Sequence, residues 1–265
     1  MAHRPRTPWA LGVPAAIGAM LLVVPLLGVL VRAPWSGLGR ILRTAEVLDA
    51  LWLSLWSASL ATLVSLVLGV PLAWVLARSS IPGLRLLRAL VTLPLVLPPV
   101  VGGVALILVL GRNGLVGRWL DQWFGLTLFA TPAAVVIAET FVAMPFLVIA
   151  VEGAFRSADQ GYDEAAATLG ASRLTVFRRV TLPLVRPALV AGAVLCWARA
   201  LGEFGATVTF AGNLQGLTRT MPLAVYLAME TDPDAALALS LVLLAVSVAV
   251  LFALRGRWVG AGSAS

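Results

Sequence analysis

The sequence contains no lysine, and it has only one cysteine and one histidine. A P-loop of the type GxxxxGK[ST] needs a lysine that reaches the β- and γ-phosphates of a nucleotide. If ATP drives this protein, another chain must therefore bind it. The single Cys196 excludes a disulfide framework within the chain. With His3 as the one histidine, a metal site built from nitrogen and sulfur ligands is not expected either.

Charged residues are also scarce. They make up 12% of the 265 residues, whereas apolar residues make up 60%, and a soluble domain carries far more charge. The apolar residues form blocks long enough to cross a bilayer, about 20 residues each. The sequence therefore predicts an all-α polytopic protein of the cell membrane with six transmembrane helices. The predicted helices are residues 9–31, 51–77, 89–110, 132–152, 187–211 and 234–254. The first run exceeds the apolar core of a secretory signal, so we expect it to be a retained helix.

All 19 basic residues are arginine. With both termini inside, 12 arginines lie in cytoplasmic segments, 6 in outer loops and Arg199 within a helix. An excess of positive charge on the inner loops predicts this orientation, N-in and C-in. It also favours a membrane protein over a nucleic-acid-binding protein as the reason for the net charge of +7. We accordingly divide the chain into residues 1–46 (inner tail, first helix, outer loop), 47–254 (permease domain) and 255–265 (inner tail).

Proline interrupts two of the predicted helices. The third contains Pro94, Pro98 and Pro99, followed by two glycines. Each proline removes a backbone donor, so the freed carbonyls must face protein or a wet cavity. This helix is either a kinked packing helix or part of a transport pathway. In the fourth helix, Pro145 predicts a break.

The polar stretch 153–186, which the arginine distribution places in the cytoplasm, predicts a helix, a sharp turn and a second helix. Tyr162, Ala165, Ala166 and Leu169 have the i, i+3, i+4, i+7 spacing of one helical face. Asp159 can cap this first helix, and Gly170 can end it. Ser172 can cap the second helix. That helix would carry Leu174, Phe177 and Val180 on one side and stop at Leu182–Pro183.

The same stretch carries a longer pattern. Glu164-Ala165-Ala166 is followed after three residues by Gly170, and nine residues later by Val180-x-Leu182-Pro183. This pattern resembles the EAA loop of ABC-importer permeases, with Val180 in place of isoleucine. The resemblance implies a surface that a cytoplasmic ATPase grips. The implied ATP-coupling residues are Glu164, Ala165, Ala166, Gly170, Leu182 and Pro183. The alternative is an amphipathic loop that rests on its own helices or on lipid.

Three further segments extend the resemblance. Trp197–Tyr226, residues 154–192 and the proline-rich 92–103 resemble the molybdate permease (ModB) family of ABC importers. Sulfate and thiosulfate permeases carry a related stretch and form the alternative. The resemblance implies a type I ABC importer fold, a homodimer, two copies of an ATPase and an extracytoplasmic molybdate-binding protein. ATP and magnesium would bind to the ATPase, so no cofactor is expected on this chain, and no nucleic acid is expected as a partner.

Three charged residues lie inside the predicted membrane helices, away from the helix ends: Glu139, Arg199 and Glu203. Arg199 and Glu203 are four residues apart, hence on one face of a helix, and Glu139 can join them from the fourth helix. Charges at this depth are costly and are paired or face a cavity. They either line the path of an anion, with Arg199 attracting it, or clamp the helices together.

Two functions of other classes are weighed against transport by an ABC permease. A membrane-embedded enzyme needs a convergent acid–base or nucleophile set, and Glu139 and Glu203 have no histidine or metal partner for it. A secondary transporter or channel has no use for an EAA loop and works without ATP. The sequence thus favours the permease subunit, which is not itself an enzyme.

Overall fold

The computed structural model describes residues 9–258. Residues 1–8 of the predicted N-terminal tail and 259–265 of the predicted C-terminal tail lie outside that range. Within it the chain is all-helical, which confirms the predicted fold class. The fourteen α-helices are α1 (Trp9–Arg32), α2 (Leu38–Ile41), α3 (Ala45–Arg78), α4 (Leu84–Val96), α5 (Pro99–Leu110), α6 (Gly117–Phe124), α7 (Pro132–Ser157), α8 (Gly161–Thr168), α9 (Arg173–Val176), α10 (Leu182–Leu184), α11 (Arg186–Leu201), α12 (Gly205–Phe210), α13 (Met221–Thr231) and α14 (Pro233–Trp258). A π-helical turn, Phe177–Thr181, joins α9 to α10.

Four helices are long and apolar enough to cross a membrane: α1, α3, α7 and α14. Two bent pairs pass the same test, α4 with α5 and the segment Arg173–Leu184 with α11, so the count reaches six if each pair is one span. α3 has 34 residues and begins at Ala45, six residues before the apolar run. Glu46 and Asp49 are charged, so the apolar run in the sequence starts only after them. The helix nevertheless includes them, because Val47 and Ala50 pack against α13 and α14.

Small residues hold the centre of the fold together. The buried face of α3 has a small residue every three or four positions: Ala50, Ser54, Ala58, Ala61, Ser65, Gly69 and Ala73. A Cβ atom on Gly69 would lie 3.2 Å from Val148 Cγ2 of α7. A Cβ on Gly192 of α11 would lie 3.1 Å from Ala150 Cβ. Close approach of backbones is how helices associate in lipid, where burial of apolar surface gives no driving force.

The helix α7 lies between α3 and α11 and is the most buried long helix. Thr131 caps it by accepting a hydrogen bond from Ala134 N at 3.3 Å, with Pro132 at its first position. The predicted break at Pro145 is wrong, since α7 runs through it to Ser157. One proline removes one donor, and a helix packed against neighbours tolerates that loss.

The third predicted helix is observed as two helices, α4 and α5, and the chain bends by 120° between them. The prolines explain the bend, because a residue before proline is pushed out of the α region. Leu97 (ψ 131°) and Pro98 (ψ 130°) are both extended, so two consecutive residues leave the helix. The chain resumes as α5 at Pro99.

The fifth predicted helix is also interrupted: α11 ends at Leu201 and α12 begins at Gly205. This break lies against the start of α5, where a Cβ on Gly205 would come 2.9 Å from Pro99 Cβ. A Cβ on Gly103 would come 2.5 Å from Thr209 Cβ. The two interrupted helices therefore meet at their breaks, in backbone-close contact.

The last helix starts with a side-chain cap. Asp232 Oδ1 accepts hydrogen bonds from Asp234 N and Ala235 N, each at 3.1 Å, and Pro233 opens α14. The short helix before it, α13, is tied to α3 by a bond from Met221 N to Ser54 Oγ of 2.7 Å. By contrast α1 buries no residue within the chain and contacts α14.

We expect Gly103→Ala to lower the free energy of unfolding by about 1–3 kcal/mol, the usual cost of overpacking. The added methyl must displace Thr209 or the backbone oxygen of Ala206, 3.0 Å away. Thermal unfolding of the detergent-purified protein measures the effect. Gly18→Ala in α1, where a Cβ meets nothing within 4 Å, is the matched control. Equal unfolding temperatures for the two variants contradict the close contact.

Candidate functional site

The first helix of the EAA loop (residues 153–186) is built by local hydrogen bonds. Asp159 Oδ1 accepts a bond from Gly161 N at 2.9 Å, at the start of α8. At the other end Gly170 has φ +84°, a conformation that glycine adopts without strain. Gly170 N bonds to Ala167 O at 2.9 Å and Ala171 N to Ala166 O at 3.1 Å. This pair of bonds is a Schellman motif, which confirms that Gly170 ends the helix.

The second helix starts where predicted. Ser172 Oγ accepts a bond from Thr175 N at 3.3 Å and so caps α9. Its end differs from the prediction, because the chain stays helical through the π turn and α10 to Leu184. In an α-helix Pro183 would clash with the carbonyl of Arg179. Arg179 lies in the wider π turn, so the helix passes Leu182–Pro183 and bends by 74° only before α11.

The predicted apolar face of α8 is turned outward. Tyr162 is 59% exposed and Leu169 is 89% exposed, Glu164 and Ala165 are exposed, and Ala166 is half-buried. Within the part of the chain that the structure describes, α8 buries no residue. The loop thus does not rest its apolar face on its own helices, and that face is free to contact another surface.

The inner side of the loop is attached by aromatic packing. The ring of Phe177 lies 6.1 Å from Trp74 of α3 and 6.2 Å from Phe155 of α7, between centroids. Val176 is buried beside it. The predicted side of Leu174, Phe177 and Val180 is only partly right, because Leu174 is 63% exposed. Leu174 lies in α9 and Phe177 and Val180 lie in the π turn, so the three residues do not follow the single α-helical period on which the prediction rested.

Polar contacts attach α8 itself. Asp163 Oδ1 accepts a hydrogen bond from Thr181 Oγ1 at 2.9 Å. Asp163 Oδ2 lies 3.9 Å from Arg78 Nη2, at the last residue of α3. The same Arg78 nitrogen donates to Ala158 O at 3.3 Å, just after α7. Arg78 therefore links the end of α3, where it lies, to the end of α7 and to the first turn of α8.

A second charged cluster lies close to this attachment and was missed by the sequence analysis. Glu152 Oε1 accepts bonds from Arg88 Nε and Arg156 Nε, each at 3.0 Å. Both arginines also donate to Leu76 O, at 3.0 and 3.3 Å. Leu76 is in the last turn of α3, where carbonyls lack helical partners. The spacing of Glu152 and Arg156 (i, i+4) was a usable signal, whereas Arg88 comes from a distant segment.

Arg199 and Glu203 do pair, at 2.6 Å between Nη2 and Oε2. Their predicted placement on one helix is wrong, because α11 ends at Leu201. Glu203 Oε1 also accepts a bond from Ala206 N at 2.8 Å and thereby caps α12. Both carboxylate oxygens are thus engaged, and the residue is 2% exposed. The Arg199 side chain is 26% exposed.

Glu139 forms a different contact. Its Oε1 accepts a bond from Ser57 Oγ of α3 at 2.8 Å. Its Oε2 has no hydrogen-bond partner among the residues that the structure describes. In that range no ion pair joins it to Arg199. The structure thus brings Arg199 and Glu203 together, and it links Glu139 to α3 instead.

The chain is similar to known proteins over most of its length. Residues 65–260 match the family model described as the binding-protein-dependent transport system inner membrane component. The molybdenum transport system permease protein ModB of Mycobacterium tuberculosis is 50% identical over 244 residues, 92% of each chain. ModB of Escherichia coli K12 is 42% identical over 79% of this chain and 92% of its own.

A relative with another substrate and a solved structure complete the comparison. The sulfate transport system permease protein CysW of Escherichia coli K12 is 39% identical, over 84% of this chain and 77% of its own. A crystal structure of a bacterial alginate ABC transporter, in complex with an alginate pentasaccharide-bound periplasmic protein, has a TM-score of 0.74 at 19% identity. It covers 92% of this chain and 91% of its own, and shows that the fold is shared.

We expect Glu152→Gln to lower the free energy of unfolding by about 1–3 kcal/mol, because two guanidinium groups lose their carboxylate. The glutamine keeps the size of the side chain. Thermal unfolding in detergent measures the change, and Glu230→Gln at an exposed position of α13 is the control. If both variants unfold at the same temperature, the cluster does not stabilise the fold.

Proposed function

The chain belongs to the family of binding-protein-dependent transport system inner membrane components, and we propose that it is the transmembrane subunit of an ATP-driven importer for molybdate. In this proposal it forms a homodimer in the cell membrane. Two copies of an ATPase subunit bind on the cytoplasmic side and hydrolyse ATP. A molybdate-binding protein delivers the anion on the other side.

The observation that carries the proposal is the exposed face of α8 on a firmly attached loop. The face is small and apolar, with Ala165 exposed between Tyr162 and Leu169, so another backbone can approach it closely. The residues proposed to couple ATP to transport are Glu164, Ala165, Ala166, Gly170, Leu182 and Pro183. ATP and the loaded binding protein then bias one equilibrium between inward- and outward-facing states.

The anion is proposed from the relatives. Identity to the M. tuberculosis molybdenum permease reaches 50% along 92% of both chains. Identity to the sulfate permease CysW is 39% and includes 77% of that chain. Tungstate, a tetrahedral dianion of the same chemistry, is included in the proposal. Sulfate is the second candidate because CysW covers most of this chain.

The intramembrane charges divide into two proposed roles. Glu203 uses both carboxylate oxygens, on Arg199 and on Ala206 N, and Glu139 bonds to Ser57. These contacts favour a role in holding helices together. Arg199 is the partly exposed cation of the set, and it is the candidate that attracts an anion along the pathway.

Replacement of Gly170 tests the coupling role. A leucine at φ +84° costs about 1–2 kcal/mol of local strain and opens the Schellman motif at the end of α8. We expect Gly170→Leu to insert normally but to lose ATP-dependent molybdate uptake in proteoliposomes that contain the ATPase and binding protein. Gly18→Leu in α1, outside the EAA loop and with nothing within 4 Å of an added Cβ, controls for bulk. Wild-type uptake by Gly170→Leu would rule the coupling role out.

The anion is tested with the same complex. We expect ATP hydrolysis to rise when the binding protein is loaded with molybdate and to stay at the basal rate when sulfate is supplied instead. Hydrolysis is measured as phosphate release at saturating binding protein. Stimulation by sulfate alone would assign the chain to sulfate import, and stimulation by neither anion would contradict both candidates.

A further inference from the structure

We propose that Arg78, Asp163 and Thr181 form a latch that passes movement of α8 to the membrane helices. The latch consists of the Thr181–Asp163 hydrogen bond, the Asp163–Arg78 ion pair and the Arg78–Ala158 hydrogen bond. None of the three is a specified residue of the EAA pattern: Asp163 directly precedes Glu164, Thr181 is the unspecified position between Val180 and Leu182, and Arg78 is distant in sequence. The inference rests on the proposed coupling function of the loop, and it names the residues through which coupling reaches the transport path.

Asp163 lies on the side of α8 that faces the rest of the chain. Its neighbours Tyr162 and Glu164 are exposed, whereas Asp163 is half-buried. Its side chain thus points away from the free face of the helix and toward the rest of the chain. A partner that pushes on the free face displaces Asp163 together with α8, because α8 is a short helix fixed at both ends by capping bonds.

The two partners of Asp163 lie on different elements of the fold. Thr181 is 2% exposed and ends the π turn that leads through α10 into α11. Arg78 is the last residue of α3, and its side chain is 10% exposed. A displacement of Asp163 therefore acts on α11 and on α3 at once.

Arg78 extends the connection to a third helix. Its Nη2 donates to Ala158 O at 3.3 Å, and Ala158 caps the C-terminus of α7. The helices α3, α7 and α11 are the ones that share the main core. The guanidinium also carries the charge favoured at a helix C-terminus. An exposed ion pair adds little to stability. The Arg78–Asp163 pair is mostly buried, and its role in this proposal is to join α8 to the core helices.

The π turn between α9 and α10 supports the same proposal. A π turn is rare and is often found at functional sites. This one begins at Phe177, which contacts Trp74, and ends at the latch residue Thr181. The loop is therefore attached at both ends of this turn. Phe177 attaches the end that follows α9, and Thr181 of the latch attaches the end that leads into α10.

The chain offers a matched control for this arrangement. Asp121 of α6 accepts a hydrogen bond from Thr127 Oγ1 at 2.9 Å, and its Oδ2 lies 3.8 Å from Arg112 Nε. This set has the same three residue types at nearly the same distances. It lies in the segment between α5 and α7, which the arginine distribution places on the outer side, away from α8.

The test uses the complete importer in proteoliposomes, with the ATPase and binding protein. For each variant we would measure co-purification of the ATPase, hydrolysis stimulated by the loaded binding protein, and anion imported per ATP. In Asp163→Ala the ATPase should stay bound while import per ATP falls at least about tenfold, the factor for losing a bond to a charged group. Asp163→Asn, which keeps an acceptor for Thr181, should fall less. Asp121→Ala should match the wild type.

Coupling between the latch residues gives a second readout. Thr181→Val should lower import per ATP, and Asp163→Ala with Thr181→Val should be no worse than Asp163→Ala alone, since both remove one bond. Additive losses would overturn the latch, as would an unchanged import per ATP in Asp163→Ala or loss of the ATPase from that variant. Failure of the proposed function would show separately, because the wild-type chain itself would not retain the ATPase.

Discussion

Backbone hydrogen bonding in a bilayer is the constraint on which this structure depends. Every buried amide and carbonyl must find a partner where water is absent, so the chain is helical almost throughout. Where a helix is interrupted, protein covers the interruption. The break before Pro99 lies against the break before Gly205, and Glu203 supplies the acceptor that Ala206 N requires. The C-terminal end of α3 is covered in the same way, by guanidinium groups bonded to the Leu76 carbonyl.

The sequence predicted what depends on neighbours along the chain. The apolar runs located all six candidate spans, and the cap at Ser172 was placed correctly. Gly170 was correctly predicted to end α8, because few other residues tolerate positive φ. An interruption near Pro98–Pro99 was predicted but its size was not, and the break predicted at Pro145 was wrong. Consecutive prolines force two residues out of the helix, whereas a single one costs one hydrogen bond that a packed helix tolerates.

The pairing of side chains across the fold could not be predicted from local spacing. Arg88 is 64 residues from Glu152, and Glu139 is 82 residues from Ser57. The sequence suggested Arg199 and Glu139 as possible neighbours because both are charged and both lie in apolar runs. The structure instead gives Glu139 a hydroxyl and gives Arg199 the nearest carboxylate in sequence. For the EAA loop, the pattern located the outward face, but only the fold shows that Asp163 faces the other way.

The forked contact of Arg88 gives a geometric reason why arginine, and not lysine, occupies this position. Its Nη2 lies 2.9 Å from Glu152 Oε1 and 3.0 Å from Leu76 O, while Nε also reaches the carboxylate. A planar guanidinium presents several donors at fixed angles, whereas an ammonium is a compact point charge on a flexible stem. At this position lysine would be a poor substitute despite its equal charge. The junction of α3, α4 and α7 at this point therefore depends on the fork of the guanidinium group and not on its charge alone.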